Sequence, residues 1–358
     1  MPEKVLVAMS GGVDSSVAAS LMIEKGYKCS GLTLKLFDPK SFDIKPFDGS
    51  KNKPGSGINK AHLAALQMGI THHVLDLTVA FHDKVILPFI ETYEKGATPN
   101  PCIFCNRYIK FAFHLLNPHM PGFDHYATGH YARVEKAGGR WLLKKAIDPS
   151  KDQSYVLFSL DQETLARVIF PLGEFTKAAV RQIAKKKGFD YEMIEESQDI
   201  CFVPDGDYGA FIERFTGMRC PSGDILDLSG KVLGRHNGHI RYTLGQRRGL
   251  GTALNQPFYV CGKDAKRNTV TLGPEGSLYS KTLTADRINL IACENLESPM
   301  KVKVKTRYQQ MEQTAIAQQT GEDEIRVEFS EAQRALTPGQ AAVLYDGDMV
   351  IGGGIIKA

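Results

Sequence analysis

No apolar run in this 358-residue chain reaches the roughly 20 residues that a membrane-spanning helix needs. Its N-terminus enters a strand pattern with no signal-peptide features. Neither sign of charge dominates: 44 Lys and Arg face 40 Asp and Glu, a net +4. A uniformly basic surface is excluded, so any nucleic-acid partner has to be met by local patches. Cysteines number seven, odd and widely scattered, which excludes the disulfide framework of a small secreted domain. Internal repeats are absent. These absences leave a cytoplasmic enzyme without membrane contact as the expectation. Its 42% hydrophobic and 23% charged residues suit a globular protein of two or three domains.

What is present begins at residue 4. The apolar run Val5-Leu6-Val7-Ala8-Met9 leads into Ser10-Gly11-Gly12-Val13-Asp14-Ser15-Ser16, and Val17, Leu21 and Met22 then share one helical face. Strand, glycine turn and helix together make a phosphate site, because backbone N–H groups and the helix N-terminus face the anion. The turn lacks the Gly-Lys-Ser/Thr ending of a Walker A loop and is not G-x-G-x-x-G. Ser15 and Ser16 supply hydroxyls; Asp14 brings negative charge, which fits a shared Mg²⁺. The stretch resembles the PP-loop of ATP pyrophosphatases.

Strand-like and helix-like segments alternate over the first two hundred residues, as in a doubly wound parallel α/β sheet. Ligands sit at the carboxyl ends of such strands, where Ser10, Leu34 and Gly129 all fall. Asp38–Gly57 reads as a long loop. From about Asp207 a small α+β unit is expected, and strongly alternating segments such as Lys301–Lys305 and Ile325–Phe329 predict a C-terminal β-barrel. The expected domains are 1–206, 207–281 and 282–358.

Thr98-Pro99-Asn100-Pro101-Cys102-Ile103-Phe104-Cys105-Asn106 places a C-x-x-C in a proline-rich turn before a helix. Thiols at a helix N-terminus have lowered pKa and are nucleophilic. A structural zinc site would want a second C-x-x-C or a close His pair, and neither exists. Cys201 follows the polar run Glu195–Asp199.

Further motifs accompany these: Thr98–Phe111, Ala127–Tyr131, Lys151–Tyr155, Asp199–Phe202, Tyr242–Gly251, Lys305–Tyr308 and Thr337–Gln340. With the first loop, in this order, they resemble the bacterial tRNA-specific 2-thiouridylases, essentially end to end. That resemblance implies an ATP site at Ala8, Met9, Ser10, Gly11, Gly12, Val13, Asp14, Ser15, Leu34 and Gly129. It implies adenylation of a tRNA uridine 2-oxygen and displacement of AMP by sulfur. Cys105 would be the nucleophile and Cys201 the persulfide carrier, ending as a transient Cys105–Cys201 disulfide. The sulfur would come from a carrier protein or a cysteine-desulfurase-derived persulfide. Many relatives have Asp where this chain has Cys102. That departure leaves a second route open, in which Cys102, Cys105 and Cys201 hold a [4Fe–4S] cluster.

The resemblance also implies tRNA contacts at Asn100, Pro101, Cys102, His130, Lys151, Asp152, Gln153, Arg247, Arg248, Arg307, Tyr308 and Gln340. Two other classes compete. One is a PP-loop ligase that adenylates a small molecule, which needs neither the cysteines nor the barrel. The other is a non-catalytic RNA-binding protein, against which the intact loop argues. If Arg247 and Arg248 touch phosphates, Arg247→Ala and Arg248→Ala weaken tRNA binding and flatten its salt dependence by about one unit of log–log slope each. A slope unchanged from wild type overturns that contact.

Overall fold

The computed structural model describes residues 2–38, 56–189, 200–203, 205–251 and 257–357. The Glu195–Asp199 run and nearly all of the Asp38–Gly57 loop lie outside the described residues. Among the described residues, no helix is long and apolar enough to cross a membrane.

Five parallel strands form the N-terminal sheet, in the order His72–Asp76, Lys28–Lys35, Lys4–Ala8, His125–Ala127, Val168–Ile169. Val5, Leu6 and Val7 are buried, as the central strand of a sheet covered on both faces requires. From Lys4–Ala8 the chain steps outward through two strands, then returns to the other side with His125–Ala127. The strand order therefore reverses between these two neighbours, and a crevice opens beyond their carboxyl ends.

One helical run extends from Thr78 to Glu94, with a π turn at His82–Ile86. It buries Phe81, Val85 and Phe89. Phe202 packs its ring against Phe81, Phe89 and Phe211 at 5.6, 5.2 and 5.3 Å between centroids. This aromatic cluster anchors the residue next to Cys201.

The C-x-x-C departs from expectation. It is not in a turn ahead of a helix; it lies in one, at Pro101–Cys105. The side chain of Asn100 accepts from Cys102 N at 3.2 Å, and Pro101 occupies the first helical position, where a missing N–H costs nothing. A π turn, Asn106–Lys110, follows at once, and Asn106 Nδ2 donates to Val156 O at 2.9 Å.

In the central unit, four strands pair in the order Tyr259–Asp264, Thr269–Gly273, Gly223–Leu226, Val232–His236, around Ile225, Val260, Val270 and Leu272. The helix Tyr208–Thr216 gives its Phe211 and Ile212 to the N-terminal core instead.

The C-terminal strands close into a six-stranded barrel. Its order is Tyr279–Leu290, Glu324–Arg334, Gln313–Gly321, Met300–Lys305, Ala341–Asp346, Met349–Ile356, which pairs back to the first strand through Ala285 and Ile356. Ile325, Val327 and Phe329 point inward from one strand, matching the alternation. An unexpected hairpin from the N-terminal half, Ala132–Ala137 and Arg140–Lys145, extends this sheet at Met349.

The barrel also braces the cysteine segment. Gln340 Nε2 donates to Thr98 O and Pro99 O at 2.9 and 3.2 Å, and Thr98 N donates to Pro338 O at 2.8 Å. Gly339 (φ +89°) approaches so closely that a Cβ would lie 2.9 Å from Thr98 O. Removing the Gln340 bonds with Gln340→Leu should speed amide exchange at Thr98 and Cys102 about tenfold, the effect of losing ~1.4 kcal/mol of local stability. Barrel-strand amides should exchange at the wild-type rate; equal protection at Thr98 refutes the brace.

Candidate active site

The turn after Lys4–Ala8 is held shut from within. Ser15 Oγ accepts from Ser10 N at 3.2 Å and donates to Gly12 O at 3.0 Å; Ser16 Oγ donates to the same carbonyl at 3.2 Å. Both hydroxyls, expected to face a ligand, are buried and serve the turn. Met9 is fixed to the neighbouring strand, its N–H donating to Leu32 O at 2.8 Å and its carbonyl accepting from Thr33 Oγ1 at 2.6 Å. Leu34 lies two residues along that strand, paired with Leu75. Gly11 takes φ +80°, and a Cβ there would fall 2.3 Å from Gly57 O, so the start of the helix Ser56–Gln67 closes over the turn. Helix Val13–Glu24 begins just beyond, presenting first-turn N–H groups that have no intrahelical acceptor.

Gly129 reaches this turn from the adjacent strand. A Cβ on it would sit 3.0 Å from Asp14 C and Ser15 N. Ser10, Leu34 and Gly129 thus come to the same edge of the sheet, as expected.

Asp14 has partners within the protein. Its carboxylate takes Lys177 Nζ at 2.8 and 2.7 Å on its two oxygens, and the Tyr131 hydroxyl at 3.0 Å. Lys177 thus sets a protein counter-charge beside Asp14. Lys177, at the start of the helix Lys177–Lys186, reaches inward to the turn.

The thiols gather around a lysine. All seven cysteines are free. Cys105 is buried, while Cys102 and Cys201 are exposed. Burial pushes Cys105 up to about 12, against the pull of the Lys110 ammonium and with smaller contributions from Cys201 and Cys102. The lowered pKa expected at a helix N-terminus is therefore not found at Cys105: desolvation wins. Burial also raises Cys201, to about 11, with Cys102 adding and Lys110 opposing. For Lys110, burial disfavours the ammonium, but Cys105, Cys102 and Cys201 outweigh it and the pKa rises. Burial and then Lys110 push His130 well below its ordinary value, so its ring is neutral at pH 7. His130 Nδ1 lies 2.7 Å from Thr128 Oγ1, and its ring packs on Phe111 and Phe170.

Thiolates are the ordinary ligands of iron–sulfur clusters. Among the described residues, however, no three His, Cys, Asp or Glu side chains converge as a set for a metal ion.

The expected tRNA contacts divide. Arg247 and Arg248 are exposed in a loop that Gln246 folds, accepting from Thr243 N at 3.0 Å and donating to Arg248 O at 2.9 Å. Asn100, Pro101 and Cys102 form the helix start at the cleft. Others also make contacts within the fold. Arg307 donates to Ala335 O and Thr337 Oγ1 at 3.0 and 2.8 Å, and Gln340 braces Thr98. Buried Asp152 accepts from Ala146 N, Ser154 N and Ser154 Oγ, and Gln153 accepts from Tyr131 N. Tyr308 packs near Tyr155 at 6.1 Å, and Lys151 is half-buried. Lys110, Lys177 and Tyr131 escaped sequence reading as site residues; only the five-residue step from Cys105 to Lys110 carried a local signal.

Gly129→Ala must displace the Asp14–Ser15 peptide, because the obstructing atoms are backbone. It should weaken binding of a non-hydrolysable ATP analogue at least about tenfold, ~1.4 kcal/mol, by calorimetry. Unchanged affinity would mean that Gly129 does not shape the turn.

Comparison with known proteins accords with this geometry. Family models match residues 3–205 (tRNA methyl transferase HUP domain), 209–274 (tRNA methyl transferase PRC-barrel domain) and 280–356 (Aminomethyltransferase beta-barrel domain). The tRNA-specific 2-thiouridylase MnmA of Acetivibrio thermocellus is 45% identical over 99% of both chains. That of Clostridioides difficile is 42% identical over 100% of this chain and 99% of its own. Among solved structures, the U34-tRNA thiolase NcsA from Methanococcus maripaludis with its [4Fe-4S] cluster is 20% identical, covers 59% of this chain and 66% of its own, and has a TM-score of 0.34, too slight a likeness to carry an argument. With its parallel sheet, central unit and closed barrel, the chain belongs to the tRNA-specific 2-thiouridylase family.

Proposed function

We propose that this protein is an ATP-dependent tRNA-uridine 2-sulfurtransferase acting on the wobble uridine. One observation carries the reading: a single turn, Thr128-Gly129-His130, abuts the phosphate-type turn through Gly129 and the cysteine cleft through His130. Activation at phosphorus and delivery of sulfur then share one crevice. The three units are taken as 1–206, 207–281 and 282–358, in a cytoplasmic enzyme.

The uridine 2-oxygen attacks the α-phosphorus of ATP bound at Ala8–Ser15, Leu34 and Gly129, and pyrophosphate departs. Mg²⁺ would accompany the phosphates and spread their charge. The terminal sulfur of a persulfide on Cys201 then bonds to C2, and AMP leaves with the former oxygen. Cys105 attacks the Cys201 sulfur; the persulfide S–S bond breaks, sulfur stays on C2, and Cys105–Cys201 closes as a disulfide. Two electrons from a thiol reductant reopen it, and a carrier protein or desulfurase-derived persulfide reloads Cys201. Cys102 lies beside the flipped base with Asn100 and Pro101. Lys151, Asp152, Gln153, Arg307, Tyr308 and Gln340 support the tRNA surface, with Arg247 and Arg248 the phosphate contacts.

Incubation with ATP, unmodified tRNA and a persulfide donor should yield 2-thiouridine, AMP and pyrophosphate, and Cys105→Ser or Cys201→Ser should abolish the thiouridine. Pyrophosphate without thiouridine favours a small-molecule ligase. Iron and acid-labile sulfide analysis after anaerobic purification tests the cluster route, which a metal-free preparation that still thiolates tRNA eliminates.

A further inference from the structure

Lys110 is half-buried, and among the described residues it has no carboxylate within ion-pair distance and no hydrogen-bond acceptor. Drawing an ammonium even partly out of water with no carboxylate beside it among the described residues costs free energy. The groups that face it are Cys105 and Cys102 on its own helical run, Cys201 across the cleft and neutral His130 from the adjoining turn. Close by, two buried polar atoms are orphaned. The Tyr126 hydroxyl, on the strand leading to His130, and Asn106 Oδ1, beside Cys105, have no hydrogen-bond partner. Tyr126 is 2% exposed and Asn106 1%. A cation within electrostatic reach of the thiols, with an unused hydroxyl donor and an unused acceptor on neighbouring elements, describes a receptor for a small polar guest.

We propose that Lys110 and Tyr126 form an anion subsite that receives the incoming sulfur as a terminal –S⁻, either hydrosulfide or the end of a persulfide. The ammonium supplies the charge and the phenol a hydrogen bond. Asn106 Oδ1 accepts from an S–H when the guest is protonated. Lys110 is a positioning residue: it holds the anion against the cysteines and forms no bond to it. The identity of the guest as sulfur rests on the thiolase reading, whereas the charge of the subsite does not.

Competitive alkylation tests the charge. Iodoacetate is anionic and iodoacetamide neutral; both consume the same thiolate, so the thiolate fraction cancels from their rate ratio. At Cys102 and Cys201, read peptide by peptide by mass spectrometry, the iodoacetate-to-iodoacetamide ratio should be about fivefold higher in the folded protein than in urea. Lys110→Met should bring the folded ratio down to the unfolded one, and Lys110→Arg should keep it. An equal ratio in folded and unfolded wild type overturns the subsite without any variant, and so does full protection of both cysteines from both reagents.

A second arm identifies the guest. Lys110→Met should raise the half-saturating donor concentration for tRNA thiolation with sodium sulfide, if hydrosulfide bonds directly to the activated C2 and AMP leaves, or with glutathione persulfide, if the Cys201 thiolate takes its outer sulfur and glutathione thiolate leaves. A response to neither donor overturns the proposal. Charge selectivity without any thiolation in wild type overturns the thiolase reading and leaves the anion subsite standing.

Discussion

Gly129 lays a bare Cα against the peptide that joins Asp14 to Ser15, and the rest of the site depends on that contact. Only a residue without a Cβ lets two neighbouring strands end so close together. The residues on either side take their positions from it. Thr128 fixes the His130 ring, His130 faces Lys110, and Tyr131 sends its hydroxyl to Asp14 while its N–H is held by Gln153. Four consecutive residues thus connect a phosphate-type turn to a thiol cleft. In a family that thiolates tRNA, this is the distance that chemistry has to bridge: the oxygen activated at phosphorus must still be within reach when sulfur arrives.

Two lysines set the electrostatics of the crevice, and they are handled differently. Lys177 is paired with Asp14, so its charge is neutralised until an anion competes for it. Polyphosphate entering the turn offers that competition, and Asp14 then keeps Tyr131 as a partner. Lys110 has no carboxylate partner among the described residues, and the groups that raise its pKa are the thiols of Cys105, Cys102 and Cys201. Preorganised charge of this kind favours whichever species brings negative charge and requires little reorganisation when it arrives. Burial keeps Cys105 protonated at rest, which protects an internal thiol from oxidation and from unproductive disulfide exchange.

The barrel takes part in this chemistry through backbone geometry. Its Thr337–Gln340 turn grips Thr98 and Pro99, immediately before the helix that carries Cys102 and Cys105. Arg307 ties the same turn to Leu244, the root of the exposed Arg247–Arg248 loop. Arg307 and Gln340, which the resemblance implies as tRNA contacts, also make this linkage.

Much of this was legible in the sequence because it is local. The strand–turn–helix around Ser10–Ser16, the parallel alternation and the barrel strands all follow from residue spacing. The site residues that stayed hidden depend on relations that spacing does not carry. Lys177 sits on the polar side of an amphipathic helix, where periodicity says solvent; only the packing of that helix on Val13–Glu24 turns it to Asp14, 163 residues away. Lys110 stands five residues from Cys105, out of phase in an α-helix. The π turn, with Phe111 N bonded to Asn106 O at 3.1 Å, widens the helix just after Cys105 and brings the two together. Such turns insert where a site needs a side chain that regular helical geometry would aim elsewhere. The wider turn is thus the local price of placing a cation among the sulfurs, and it was unreadable for the same reason that it is useful: it breaks the 3.6-residue rule by which helical faces are read.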